Sequence, residues 1–185
     1  NNVAVTNDDE MSSAIEIPFE WTFFGETVDA LFVSSNGFIV FSPIEGTGCC
    51  DGSTLPEADE VNGLVAAYWG DLNPGSGGRV VTGVTGQAPN RELTVTWNDV
   101  PHFGEDDVRV TAQIVLHENT SQATVICQNC QPGGGEYTQG VENNEGTYGL
   151  TVPGRNAERW RASNDAILFT TDTLVTESPV ECFQG

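Results

Sequence analysis

Residues 32–41 read FVSSNGFIVF, two hydrophobic runs parted by Ser34, Ser35, Asn36 and Gly37. Asn-Gly is the strongest short-range signal for a tight hairpin turn, because both residues tolerate positive φ. Just upstream, Ile15, Ile17, Phe19, Trp21 and Phe23 alternate with Glu16, Pro18, Glu20 and Thr22. A period of two belongs to a strand with one buried face. The local reading is sheet.

The same grammar continues along the chain. A polar segment rich in glycine and proline, PIEGTGCCDGSTLPEADEVNG at 43–63, reads as a long surface loop. Residues 77–100 form a hairpin that turns at Gln87 to Asn90, with Leu93, Val95 and Trp97 on one face. In the next hairpin Val108, Val110, Ala112, Ile114 and Leu116 alternate, ENTSQ turns, and Ala123, Val125 and Cys127 return. Short strands surround the Asn/Gly turn of 137–152, and 159–177 supplies one or two closing strands. Only ADEVNGLVAAY at 58–68 has room for a turn or two of helix.

Many short strands with closely spaced turn signals mean an all-β fold. An antiparallel, jelly-roll-like β-sandwich of about nine or ten strands is expected. Residues 1–170 form its single domain and 171–185 a C-terminal extension. Trp21, Phe23, Phe38, Trp69, Trp97 and Phe169 are the expected aromatic core.

Composition narrows the partners. The chain has 185 residues, 38% of them hydrophobic, with 27 acidic residues against six arginines and a formal charge of −21. Such a surface repels phosphate backbones and anionic lipid, which excludes nucleic acid and membrane-surface partners. No stretch of about 18 apolar residues is present to span a membrane as a helix, and any secretion signal is expected to have been removed.

The five cysteines are Cys49 beside Cys50, Cys127 and Cys130 as CQNC, and Cys182. Disulfide staples in an oxidising compartment are the expected state, with one thiol left over. Zinc ligation by the CC pair and the CxxC is the competing reading, and vicinal cysteines make awkward tetrahedral ligands. CQNC runs into the glycine-rich QPGGG rather than a helix, which argues against a redox motif.

Asp and Asn gather in TNDDE (6–10), WGDLNPGSGG (69–78), FGEDDVR (103–109) and VENNEGTYG (141–149). Hard oxygen donors in turns suit calcium, and Asp71, Asn73, Asp106 and Asp107 are the expected ligands, although no regular calcium-loop spacing is present. The sequon Asn119-Thr120-Ser121 lies in a turn and makes Asn119 a candidate for glycosylation.

Catalytic signatures are sparse. The histidines, His102 and His117, border turns and are expected at the surface, and neither accompanies a nucleophile elbow. There is no GxSxG, HExxH or phosphate-cradling loop. Abundant carboxylates leave a glycoside hydrolase open, since separation in space decides it. A carbohydrate-binding module is a further alternative, with Trp160 or Tyr148 stacking on a sugar.

The succession IPFEWTFFG, FVSSNGFIVF, LVAAYWGDLNPGSGGRV, PNRELTVTWNDVPHFG, AQIVLHENTSQATV and TQGVENNEGTYGL resembles a β-rich module of bacterial secreted and cell-surface proteins. It is also similar, more distantly, to the nidogen-type extracellular domain. The likeness covers about residues 5 to 170. It implies an accessory or adhesive unit without catalytic residues. The cysteines and the tail depart from that module and suggest self-assembly. Leu174 and Val175 are expected to complete a neighbouring subunit's sheet, with Cys182 locking the contact. The expectation is a non-enzymatic extracellular or cell-surface module, needing no cofactor beyond calcium, whose partners are copies of itself and surface glycans.

Overall fold

Alternating side chains become strands, and the strands sort into two sheets. The computed structural model describes residues 2–170. Its twelve strands are β1 (Asn2–Val5), β2 (Ile15–Phe23), β3 (Glu26–Val33), β4 (Phe38–Val40), β5 (Leu64–Trp69), β6 (Arg79–Thr85), β7 (Glu92–His102), β8 (Glu105–His117), β9 (Gln122–Cys130), β10 (Thr138–Glu142), β11 (Gly149–Thr151) and β12 (Ala162–Thr170). One sheet runs β1-β6-β7-β8-β9-β12 and the other β11-β10-β5-β4-β3-β2. All pairings are antiparallel. The architecture is the expected β-sandwich, and β1, a four-residue edge strand too short to show a period, is the strand that the sequence reading does not place.

The core lies between the sheets. Trp21, Phe23, Trp97 and Phe169 are buried there with the inward residues of β7 to β9. Phe38 and Trp69 belong to a second cluster on the outer face of β4 and β5. The expected surface loop at 43–63 covers that cluster, inserting Leu55 and Val61 against Phe38, Leu64 and Trp69. It is thus a strap rather than a free loop, and burial of its two aliphatic anchors holds it down. The segment 58–68 is not helical: it ends the strap and enters β5. A 3-10 turn at Pro74–Ser76 is the only helical element among the described residues.

Cysteines close locally. Cys49 bonds Cys50 on the exposed strap, and Cys127 bonds Cys130 in the buried face of β9. An extended strand would separate residues three apart by about 10 Å. Here the Cα atoms are 5.7 Å apart. The register explains this: Thr111 faces Asn129 and Ala112 faces Cys127, so Gln128 is the extra residue of a bulge. With each pair closed on itself, neither offers the free thiolates that the zinc reading needs. Leu174, Val175 and Cys182 lie outside the described residues.

Candidate functional site: the acidic loop end

The quoted turn is a hairpin, with Phe32 opposite Val40 and Val33 opposite Ile39. It differs from an ordinary turn in being buried, since Ser34, Ser35 and Asn36 are wholly shielded from solvent. Buried polar groups must find partners, and these do. Ser34 Oγ donates to Thr47 O at 2.7 Å, the Trp97 indole donates to Ser34 O at 3.0 Å, and Ser35 exchanges bonds with Glu10. Only Gly37 of the Asn-Gly pair takes positive φ, at 85°. A Cβ there would stand 2.2 Å from Tyr68 O, so the close approach of β5 requires glycine.

Asn36 organises the loop end. Its Oδ1 accepts from Leu72 N at 3.0 Å, and its Nδ2 donates to Asp9 Oδ1 at 2.9 Å. Glu10 Oε2 accepts from Thr6 N and Asn7 N, both at 2.7 Å, closing the loop that presents Asp8 and Asp9. Those backbone bonds, Thr6 first, hold the Glu10 carboxyl below its usual range. One oxygen from each of Asp8, Asp9 and Asp71 lies within 4.8 Å of the others. That is the span of ligands on opposite sides of a calcium ion at about 2.4 Å.

Electrostatics mark the cluster. Burial, reinforced by the charges of Asp8, Asp9 and Asp51, pushes the Asp71 carboxyl up to about 6. Burial and then Asp9 raise Asp8 as well. Asp8 Oδ1 is shut off from solvent and has no hydrogen-bond donor. These three carboxylates are the residues that could hold a divalent cation.

Of the expected ligands, Asp71 meets Asp8 and Asp9 in this group, Asn73 caps the 3-10 turn through Ser76 N, and Asp106 and Asp107 are exposed at the start of β8, outside the group. TNDDE was the visible signal, and its meeting with Asp71 depends on the buried turn between them.

His102 is also corrected, being buried rather than at the surface. The Tyr137 hydroxyl accepts from Gly133 N at 3.0 Å and Gly135 N at 3.3 Å, so its proton points to His102 Nδ1 at 3.2 Å. His102 Nε2 therefore carries hydrogen and donates to Gln131 O at 2.8 Å. Burial lowers the imidazole's proton affinity and keeps it neutral. It fastens the glycine-rich 131–135 segment. His117 lies between Glu92 and Thr124 on the sheet.

Trp160, expected as an exposed sugar platform, is buried. Its indole donates to Tyr137 O at 2.9 Å, and Arg155 lies over its ring at 4.7 Å. Tyr148 is half-buried, edge-on to Phe24. Asn119 is exposed in the β8–β9 turn, its amide donating to Asn90 Oδ1 at 2.9 Å.

Among the described residues no helix is long and apolar enough to cross a membrane. Neither a curated protein nor a solved structure matches the chain. A family model described as NIDO related matches residues 1–177, the extracellular type of domain that the order of motifs resembles. With nearly its whole length matched, the chain belongs to the NIDO-related family.

Proposed function

We propose that this extracellular-type domain is a non-enzymatic structural or adhesive module that assembles with copies of itself, as the repeating subunit of a cell-surface filament or matrix. The observation that carries the reading is the outer edge of β12. This nine-residue strand pairs only with β9 among the described residues, and Leu168 on it is 55% exposed. An unpaired edge is a template for strand addition from another chain. The tail that follows it supplies the adding strand, with Leu174 and Val175 in the sheet and Cys182 as a covalent lock.

Both histidines are engaged in hydrogen bonds within the fold, which supports a non-catalytic role. Copies carrying −21 each repel one another, so assembly strengthens as salt screens the charge. A second reading, divalent-cation binding at the loop end, is favoured by the buried, donorless Asp8 Oδ1 beside Asp9 and Asp71. Glycosylation at Asn119 fits the exposure of its turn.

Negative-stain microscopy beside reducing and non-reducing gels tests the assembly reading. Fibres from the full chain, lost when residues 171–185 are deleted, and a covalent ladder lost in Cys182→Ser, are the expected results. A monodisperse monomer at every salt concentration would sink it.

A further inference from the structure

The outer face of the sheet β1-β6-β7-β8-β9-β12 carries no charge across its width, on a chain of formal charge −21. Cross-strand register sets Val3 opposite Val81, Val81 opposite Thr96, Thr96 opposite Gln113, Gln113 opposite Ile126, and Ile126 opposite Ala166. This row crosses all six strands without an ionisable side chain. The neighbouring row, from Gly83 on β6 to Leu168 on β12, has none either. These positions alternate with the buried Val80, Val95, Ile114 and Val125, so they face away from the core.

Charge returns only at the two ends of the strands. Arg79 and Arg109 mark one end, while Glu92 and His117 mark the other. Polar groups on the face satisfy one another: Gln113 Nε2 donates to Thr96 Oγ1 at 2.7 Å, and the Thr94 hydroxyl donates to Gly83 O at 3.2 Å. Covering them therefore strips little hydrogen-bonded water. The opposite sheet has no such bare face over β4 and β5, because the strap lies on it.

We infer that this uncharged face pairs with the same face of a second copy of the chain. The inference rests on the self-assembly reading for its partner, and names a contact distinct from the β12 edge. Two copies meeting elsewhere would bring carboxylates together, whereas here they meet Thr, Val, Gln and Ile with their like. A two-fold axis lying in the face and crossing the strands sets the Arg79 end of one copy against the Glu92 end of the other. Six strands about 4.8 Å apart and two rows about 7 Å apart give a face of roughly 400 Å². A pair then buries on the order of 800 Å², the size of a weak, reversible contact.

Light scattering of the full chain in moderate salt tests this, comparing it with Thr96→Glu/Ile126→Glu and with Val3→Glu. Val3 is 61% exposed at the sheet margin, so a charge there leaves the fold alone. The expected result is a species with an even number of copies, whose mass falls two-fold in both variants. Equal mass in the parent and both variants would overturn the pairing. Fibres of unchanged width in the charged variants would overturn it too, while leaving edge assembly intact. A dimer of the parent chain that forms no fibres and is lost in both charged variants would support the face and overturn the edge.

Discussion

The carboxamide of Asn36 spans 27 residues of sequence to reach Asp9, donating through Nδ2 to Asp9 Oδ1 at 2.9 Å, while its Oδ1 accepts from Leu72 N. One buried side chain thereby joins the N-terminal loop, the β3–β4 hairpin and the segment holding Asp71.

Asn36→Ala leaves Leu72 N without its acceptor in a site closed to water. A loss of about 2–3 kcal/mol is expected, seen as a drop of roughly 5–10 °C in Tm by calorimetry. A drop below about 2 °C would mean that water replaces the amide and that the bridge is dispensable.

Calcium should raise Tm, and a chelator should reverse the rise, because a ligand bound only by the folded state stabilises it. At a hundred-fold excess over Kd the gain is about 2.7 kcal/mol. Asp71→Asn should abolish it, whereas Asp106→Asn with Asp107→Asn should not. A calcium response that survives Asp71→Asn, or none in the parent chain, would remove the cluster as a cation site.

Glu142 is fully buried in β10, where Oε2 accepts from Glu57 N at 2.7 Å and Oε1 has no donor. Its register neighbours Leu64 and Gly149 bring no charge, and the strap brings only Glu57 and Asp59. Burial pushes the carboxyl from 4.5 up to about 7, with Asp59 and Glu57 adding to it against the Glu57 backbone bond. A raised carboxyl contributes stability below its unfolded value that is lost as pH rises through 7. Glu142→Gln should therefore remove a fall in Tm between pH 5 and 8.5, matching the parent chain at pH 5 and exceeding it at pH 8.5. Parallel pH profiles would show that Glu142 does not titrate in this range.

Mild reductant followed by alkylation should modify Cys49 and Cys50 and spare Cys127 and Cys130, since the first pair is exposed and the second fully buried. Mass mapping of the alkylated cysteines checks this. Replacing Cys127 and Cys130 by alanine should cost about 2 kcal/mol from the short closed loop alone. Labelling of Cys127 before Cys49 would contradict the burial pattern.

Period-two alternation made β2 and β8 legible from residues, as it did the inward Leu93, Val95 and Trp97 of β7. It failed at β4, because Phe38, Ile39 and Val40 are all buried when the strap covers the second face of that strand. The strap itself looked like solvent-exposed loop: its two buried aliphatics, Leu55 and Val61, are scattered among Gly, Pro and carboxylates. Of the acidic site, Asp71 and the TNDDE run were each legible, and their meeting was not. Their meeting depends on contacts far apart in sequence, carried by an Asn-Gly turn that local rules place at the surface. Trp160 misled for a related reason, since Arg159 and Arg161 beside it suggest solvent while Arg155 and Tyr137 enclose it.

The strap over β4 and β5 also gives the domain a back and a front. If the bare face pairs as inferred above, a building block of this kind can stack broadside only once, because the second block turns its own back outward and ends the stack. Growth of the proposed assembly would then proceed along the edges, and its product would be a ribbon two blocks thick instead of a layered crystal.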